Sequence, residues 1–223
     1  MSVVVIDIET VPGSAAWLLQ EIVDWSESQY PPASIKKQET KDKWYAEKLP
    51  ILMDKKRHGQ GLNAATGEII CIGYKVNDYE ARVYDHKHGD EAAIIRQFFA
   101  MLEAVAKDDR TPPYLVGHNI LGFDAPYIWR RAIANGIRPP AFFEPPVELK
   151  AWSKGIGDTM IMWSGVRDRV SLDTLCKVFG IPGKDGIDGS MVWDMYQDGR
   201  LEEISEYCVE DVEKTSEVYK RMV

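Results

Sequence analysis

The chain has 223 residues, 45% hydrophobic and 28% charged, which suits one sizeable buried core and excludes a disordered chain. A formal net charge of −8 excludes an obligate nucleic-acid coat protein, which would be basic, but not an enzyme whose acids ligate metal. No apolar run reaches the roughly 20 residues of a membrane span, and no basic stretch precedes the apolar N-terminus, so neither a membrane partner nor a secretory signal is expected. Cys71, Cys176 and Cys208 are scattered through apolar sequence and odd in number. They are expected as reduced, buried thiols of a cytoplasmic protein, neither a disulfide frame nor zinc ligands.

A first strand is predicted at about residues 2–8. In Val3-Val4-Val5-Ile6-Asp7-Ile8-Glu9 the two acids stand two residues apart near its end. Strand side chains alternate faces, so Asp7 and Glu9 point the same way. Two carboxylates side by side on an apolar strand repel each other and resist desolvation, which calls for a positive partner, such as a pair of divalent metals.

Residues 11–66 then interrupt the pattern for far longer than an ordinary connection, so this stretch is expected to form helices of its own, an inserted arm or subdomain. Within it, residues 36–58 hold Lys36, Lys37, Lys41, Lys43, Lys48, Lys55, Lys56 and Arg57 against Glu39, Asp42, Glu47 and Asp54, eight less four for a balance of +4. With Trp44 and Tyr45 interleaved, it is either a surface for a single strand or a solvated helix face.

Glu68–Val76 and Ala81–Tyr84 read as strands joined by a hairpin at Asn77-Asp78. Glu91–Val105 has helical periodicity, Tyr114-Leu115-Val116 is a short buried strand, and Phe123–Asn135 is a helix stopped by Gly136. Asp124 falls at that helix start, where free N–H groups favour a carboxylate, so alone it reads equally as a cap. Ser171 caps a helix ending at Gly180. The last helix, from about Leu201, turns an apolar stripe inward and most of its acids outward, yet Asp211 lies on the inward stripe with Tyr207 one turn before it. A buried, unpaired carboxylate costs several kcal/mol, so Asp211 also needs a partner. Mixed strands and helices in one continuous chain fit a single α/β domain over residues 1–223.

The ordered conjunction of Asp7-Ile8-Glu9-Thr10, His118-Asn119 through Phe123-Asp124, and Tyr207 through Asp211 resembles the proofreading-type 3′–5′ exonucleases of the ribonuclease-H-like superfamily, in the class with four acids and a tyrosine. It is most similar to the exonuclease domain of family B DNA polymerases. Leu172-Asp173 to Gly180, Gly183-Lys184 and Asp188-Gly189 share the likeness, and Glu206 stands where a sister class has histidine. The resemblance implies a mixed β-sheet flanked by α-helices, with the helical insertion after the first strand. It further implies metal ligation by Asp7, Glu9, Asp124 and Asp211, with Tyr207 orienting the attacking water. The cofactors would be two divalent cations, Mg²⁺ or Mn²⁺, which prefer such hard oxygens.

Thr10, Asn119, Phe123 and Lys184 are the candidate substrate-binding residues, by hydrogen bonds, base stacking and a phosphate contact respectively. Core packing for Phe123 and a solvated loop for Lys184 stay open, and the loop's spacing does not match a P-loop. His118 and Asp158 read as turn or cap residues.

The expected activity is hydrolysis from the 3′ end of single-stranded DNA. RNA or short oligonucleotides are alternatives of the same chemistry, and a non-catalytic replication-accessory protein is the contrasting class. The exonuclease pattern runs to the last residues, so a stand-alone enzyme is expected, working alone in repair or serving a DNA polymerase in trans.

Overall fold

The computed structural model describes residues 1–151, 153–182, 186 and 188–223. Five strands, β1 (Val3–Pro12), β2 (Gly67–Val76), β3 (Arg82–Tyr84), β4 (Tyr114–Gly117) and β5 (Ile156–Asp158), form one sheet in the order β3-β2-β1-β4-β5. β1, β4 and β5 run parallel, while β2 and β3 form the antiparallel hairpin through Asn77, whose φ of 50° supplies the left-handed turn. Helices α3 (Glu91–Asp109), α4 (Asp124–Ala134), α5 (Thr159–Ser164), α6 (Leu172–Phe179), α7 (Val192–Gln197) and α8 (Leu201–Lys220) flank it. This is the ribonuclease-H-like mixed α/β fold.

The register decides where chemistry can sit. β1 pairs with β4 from Val3↔Tyr114 to Val5↔Val116, and β4 ends at Gly117. β1 therefore continues past its neighbour, and Asp7 and Glu9 stand beyond the paired stretch, at the carboxyl ends of parallel strands where crevices open. Val4, Val5, Ile6 and Ile8 are almost wholly buried. At about 1.5–3 kcal/mol per buried aliphatic side chain, they hold the strand against the pull of its two acids toward water.

α8 reaches the sheet at Gly73 of β2. A Cβ there would meet Cys208 Sγ and Val212 Cγ2 at 2.9 Å, so only glycine lets the helix sit this close. Across the sheet, Glu91 of α3 accepts from Arg131 Nε at 2.8 Å and Nη2 at 2.6 Å, from Asn135 at 2.7 Å, and from the Ile69 N–H at 2.7 Å. This largely buried bidentate pair anchors α4 to α3 and β2.

Met1–Glu9 and Ile69–Val223 make one compact unit, and Thr10–Glu68 makes a second. The second unit carries α1 (Ala16–Glu27) and α2 (Gln38–Gly61), joined through buried Leu18 and Ile22 and through Arg57, which donates to the Gly13 carbonyl at 2.7 Å.

Ser171 caps α6 by accepting from the Thr174 N–H at 3.1 Å, and Gly180 closes it at φ 64°. β1 runs four residues beyond its expected end at residue 8, and α3 extends to Asp109. β5, α5 and α7, of three, six and six residues, are too short to leave a periodic trace in the sequence.

Candidate active site

Because β4 stops early, the Ile8 N–H has no strand to pair with on that side, and a buried N–H left alone is costly. Asp124 supplies the acceptor: its Oδ1 takes the Ile8 N–H at 3.2 Å. The first residue of α4 is thereby pinned beside the one strand position that lies between Asp7 and Glu9. Asp124 is 3% exposed and Glu9 8%. On α8, Tyr207 is buried and hydrogen-bonds the Asp211 carboxylate. Cys208, between them on the helix, lies against Asp7, with Sγ 3.6 Å from Oδ2. Residues from both ends of the chain thus meet at one place.

The directions in which these groups are shifted agree with that placement. Burial, then Asp124, Glu9 and Asp211 in turn, push the Asp7 carboxyl well above the usual carboxylate range. Glu9 is raised by burial, then by Asp211 and Asp124. Asp124 is pushed up to about 7, chiefly by burial, with Asp158 adding and its N–H partners opposing. Tyr207 is raised by burial and then by Asp211 and Glu9, so its phenol stays protonated at neutral pH. Groups that raise one another in this way are close neighbours short of positive charge.

Lys214 is a cation at the cluster that the sequence pattern does not single out. In the structure its Nζ sits 3.0 Å from Asp211 Oδ1, and both side chains are only 16% exposed. Its spacing of three from Asp211 was the available signal, because such residues share a helix face. Asp211, Lys214 and Tyr207 open onto a cleft of about 540 Å³, lined also by Asp173 and Lys177 of α6.

Among the described residues no three His, Cys, Asp or Glu side chains close into a ready metal cage. Two of the carboxylates are engaged within the protein, Asp211 by the Lys214 ammonium and Asp124 by the Ile8 N–H. The donor set still fits a pair of hard divalent ions, since every candidate ligand is a carboxylate and several acids face one lysine.

The turn ahead of α4 is shaped by Asp158. Its carboxylate accepts from the N–H groups of Asn119 at 3.0 Å and Leu121 at 3.1 Å, and caps α5 through Met160 at 3.0 Å and Ile161 at 3.3 Å. Asn119 is left-handed at φ 64°, and its side chain closes over Gly122, where a Cβ would collide with it. His118 is held between Thr159 Oγ1 and the Val170 carbonyl, each at 2.9 Å, and burial lowers its pKa, so it is a neutral structural residue. Phe123 is half-buried, tilted against Tyr127 at 5.2 Å. Thr10 is half-buried and falls in the second compact unit, and Lys184 lies outside the described residues. All three cysteines are free and buried. Among the described residues no helix is long and apolar enough to cross a membrane.

Residues 69–223 match the family described as predicted 3′–5′ exonucleases related to the exonuclease domain of PolB. A DNA polymerase of Red sea bream iridovirus is 26% identical over 181 residues, covering 66% of this chain but only 18% of the viral protein. The family B DNA polymerase of the hyperthermophilic archaeon Pyrobaculum calidifontis superposes with a TM-score of 0.62 at 17% identity, over 100% of this chain and 24% of that one. The chain thus spans a small part of either polymerase, and the likeness to the archaeal enzyme is one of fold. With well over half its length matched, the chain belongs to the family described as predicted 3′–5′ exonucleases related to the exonuclease domain of PolB.

Proposed function

We propose that the protein is a metal-dependent 3′–5′ exonuclease that hydrolyses single-stranded DNA one nucleotide at a time. The observation that carries this reading is the bond from the Ile8 N–H to Asp124, which ties a third carboxylate to the strand position flanked by the other two while α8 presents Asp211 opposite.

Asp7, Glu9, Asp124 and Asp211 would hold two divalent cations. Bound there, such ions acidify a water near neutral pH and stabilise negative charge on a departing 3′-oxygen. Asp7 and Glu9 share a strand face and keep that face rigid, while Asp124 and Asp211 approach from two helices. Tyr207 remains a neutral phenol, so it serves as a hydrogen-bond positioner for the incoming water and not as its base. The water oxygen adds to phosphorus and the bond from phosphorus to the 3′-oxygen breaks. The water gives one proton to solvent, the departing 3′-oxygen takes one from solvent, and the products are a 5′-mononucleotide and a strand with a new 3′-hydroxyl. With Asp211 holding a cation, Lys214 would be left in the cleft as a counter-ion for the phosphate. In the second rank, the left-handed Asn119 turn held by Asp158 offers hydrogen bonds to the terminal nucleotide, with Thr10, Phe123 and Lys184 as further candidate contacts.

A 5′-labelled single strand incubated with Mg²⁺ or Mn²⁺ tests this reading. The expected result is a ladder shortening from the 3′ end with release of mononucleotide, abolished by chelator. Internal cleavage of a circular strand, or no cleavage with either metal, would overturn it.

A further inference from the structure

Helix α2 has 24 residues, yet only Gln60 and Gly61 at its C-terminal end are buried. A helix that long with almost no buried face is held by little of its own packing and presents its surface to something else. That surface is not uniform. Lys41, Tyr45, Lys48, Leu52, Lys55 and Lys56 follow one another at helical steps and fall on one stripe. At about 100° per residue, Glu39, Asp42, Glu47 and Asp54 all fall about 100° or more away from the Lys41 direction. The acids are thus sorted off the stripe, and the overall +4 of this segment is concentrated on one side. Lys48, Lys55 and Lys56 are exposed, and Tyr45 is 39% exposed.

The C-terminal end of the stripe enters an open groove of about 470 Å³ between α1 and α2, walled by Leu52, Lys55 and Lys56 on one side and Trp25 on the other. Lys56 Nζ lies over the Trp25 ring, 5.9 Å from its centre. Asn63 and Thr66 close the groove with hydrogen-bonding groups, and Glu21 is its one acid. Cations at regular steps beside a half-exposed aromatic ring match a polyanion that carries flat bases, since the lysines meet phosphates while the rings accept stacked bases of any sequence.

We infer that the stripe and groove of the arm are a second binding surface for single-stranded nucleic acid, separate in its residues from the carboxylate cluster. A base stacks on Trp25 in place of Lys56, which turns to a phosphate, and the strand follows Lys55, Lys48 and Lys41 over ~21 Å of helix. This inference rests on the exonuclease reading for the nature of its ligand.

The test uses the full chain with Lys41, Lys48, Lys55 and Lys56 all replaced by Gln, a residue of similar helix propensity, and a second variant with Lys55→Gln and Lys56→Gln alone. Binding of a labelled single strand is read by fluorescence anisotropy across salt, in chelator. Hydrolysis of a nitrophenyl ester of thymidine 5′-phosphate with Mn²⁺ reads the carboxylate cluster independently. The fourfold variant is expected to bind about tenfold or more weakly, with the slope of log affinity on log salt reduced by roughly 3. The double variant is expected to lose about half of that slope change, and ester hydrolysis should stay at the wild-type rate in both. Circular dichroism should show unchanged helix content. Wild-type affinity and salt slope in both variants would overturn the inference, whatever the nuclease assay shows. A wild-type protein that cleaves neither strand nor ester, yet binds the strand through these lysines, would overturn the exonuclease reading alone. A surface that captures an acidic polypeptide as tightly as the strand would also overturn the inference.

Discussion

The two charged regions of this molecule are built in opposite ways. The carboxylates of β1, α4 and α8 are sunk into packed structure, where Asp124 is 3% exposed and Glu9 8%. The lysines of α2 stand on a helix with almost nothing buried. Buried charge is expensive to assemble and is held to fixed geometry, which suits chemistry on a bond. Exposed charge is cheap, mobile and screened by salt, which suits gripping a flexible polymer. The same kinds of substitution should therefore give very different results in the two regions.

The largest contrast lies in activity. Asp7→Asn or Asp211→Asn is expected to reduce mononucleotide release by about a thousandfold or more, because each removes a carboxylate that would hold a cation at the reacting phosphate. The Lys→Gln changes in the arm should raise KM and leave kcat near the wild-type value, measured on the same strand. Tyr207→Phe keeps the packing but removes the hydrogen bond, and should lower kcat by about a hundredfold with little change in KM. An unchanged kcat would remove the tyrosine from the mechanism.

Stability separates the regions next. Gly73→Val forces side-chain atoms into Cys208 and Val212, and should destabilise the sheet unit by about 1–3 kcal/mol in denaturant unfolding. Substituting the arm lysines should change stability by no more than about 0.5 kcal/mol. Between these lies a pH effect confined to the buried acids. Folding raises Asp124 from 3.8 to about 7, so the folded state favours the protonated carboxyl. Its contribution is intact below pH 3.8 and is lost as pH rises toward 7, so in chelator Asp124→Asn should flatten the decline in stability over that window. A decline of the same slope in the variant would contradict the placement of Asp124 among uncompensated charges.

These differences also account for what could be read in advance. Asp7, Glu9 and Asp211 were legible because a carboxylate on an apolar stripe breaks the alternation or helical period that core packing imposes. Asp124 taken alone reads equally as a cap, and a ligand role for it came only from the family resemblance. Its second role, accepting the Ile8 N–H, depends on β4 ending early, a register no local pattern encodes. Lys214 is not singled out by the sequence, because a lone lysine among glutamates has no period to betray it. β5, α5 and α7 were invisible for want of length, although Asp158, at the junction of β5 and α5, organises the Asn119 turn. The stripe on α2 was visible as composition, but its segregation from the acids emerges only once the stretch is known to be one unbroken helix.

In the proposed mechanism, acids from both ends of the chain share a pair of cations. Mn²⁺ binding measured by isothermal titration, on wild-type protein and on Asp7→Asn, tests it most directly. Two ions per chain are predicted for the wild type, and one or none for the variant. Equal binding by both proteins, or no binding by the wild type, would contradict it.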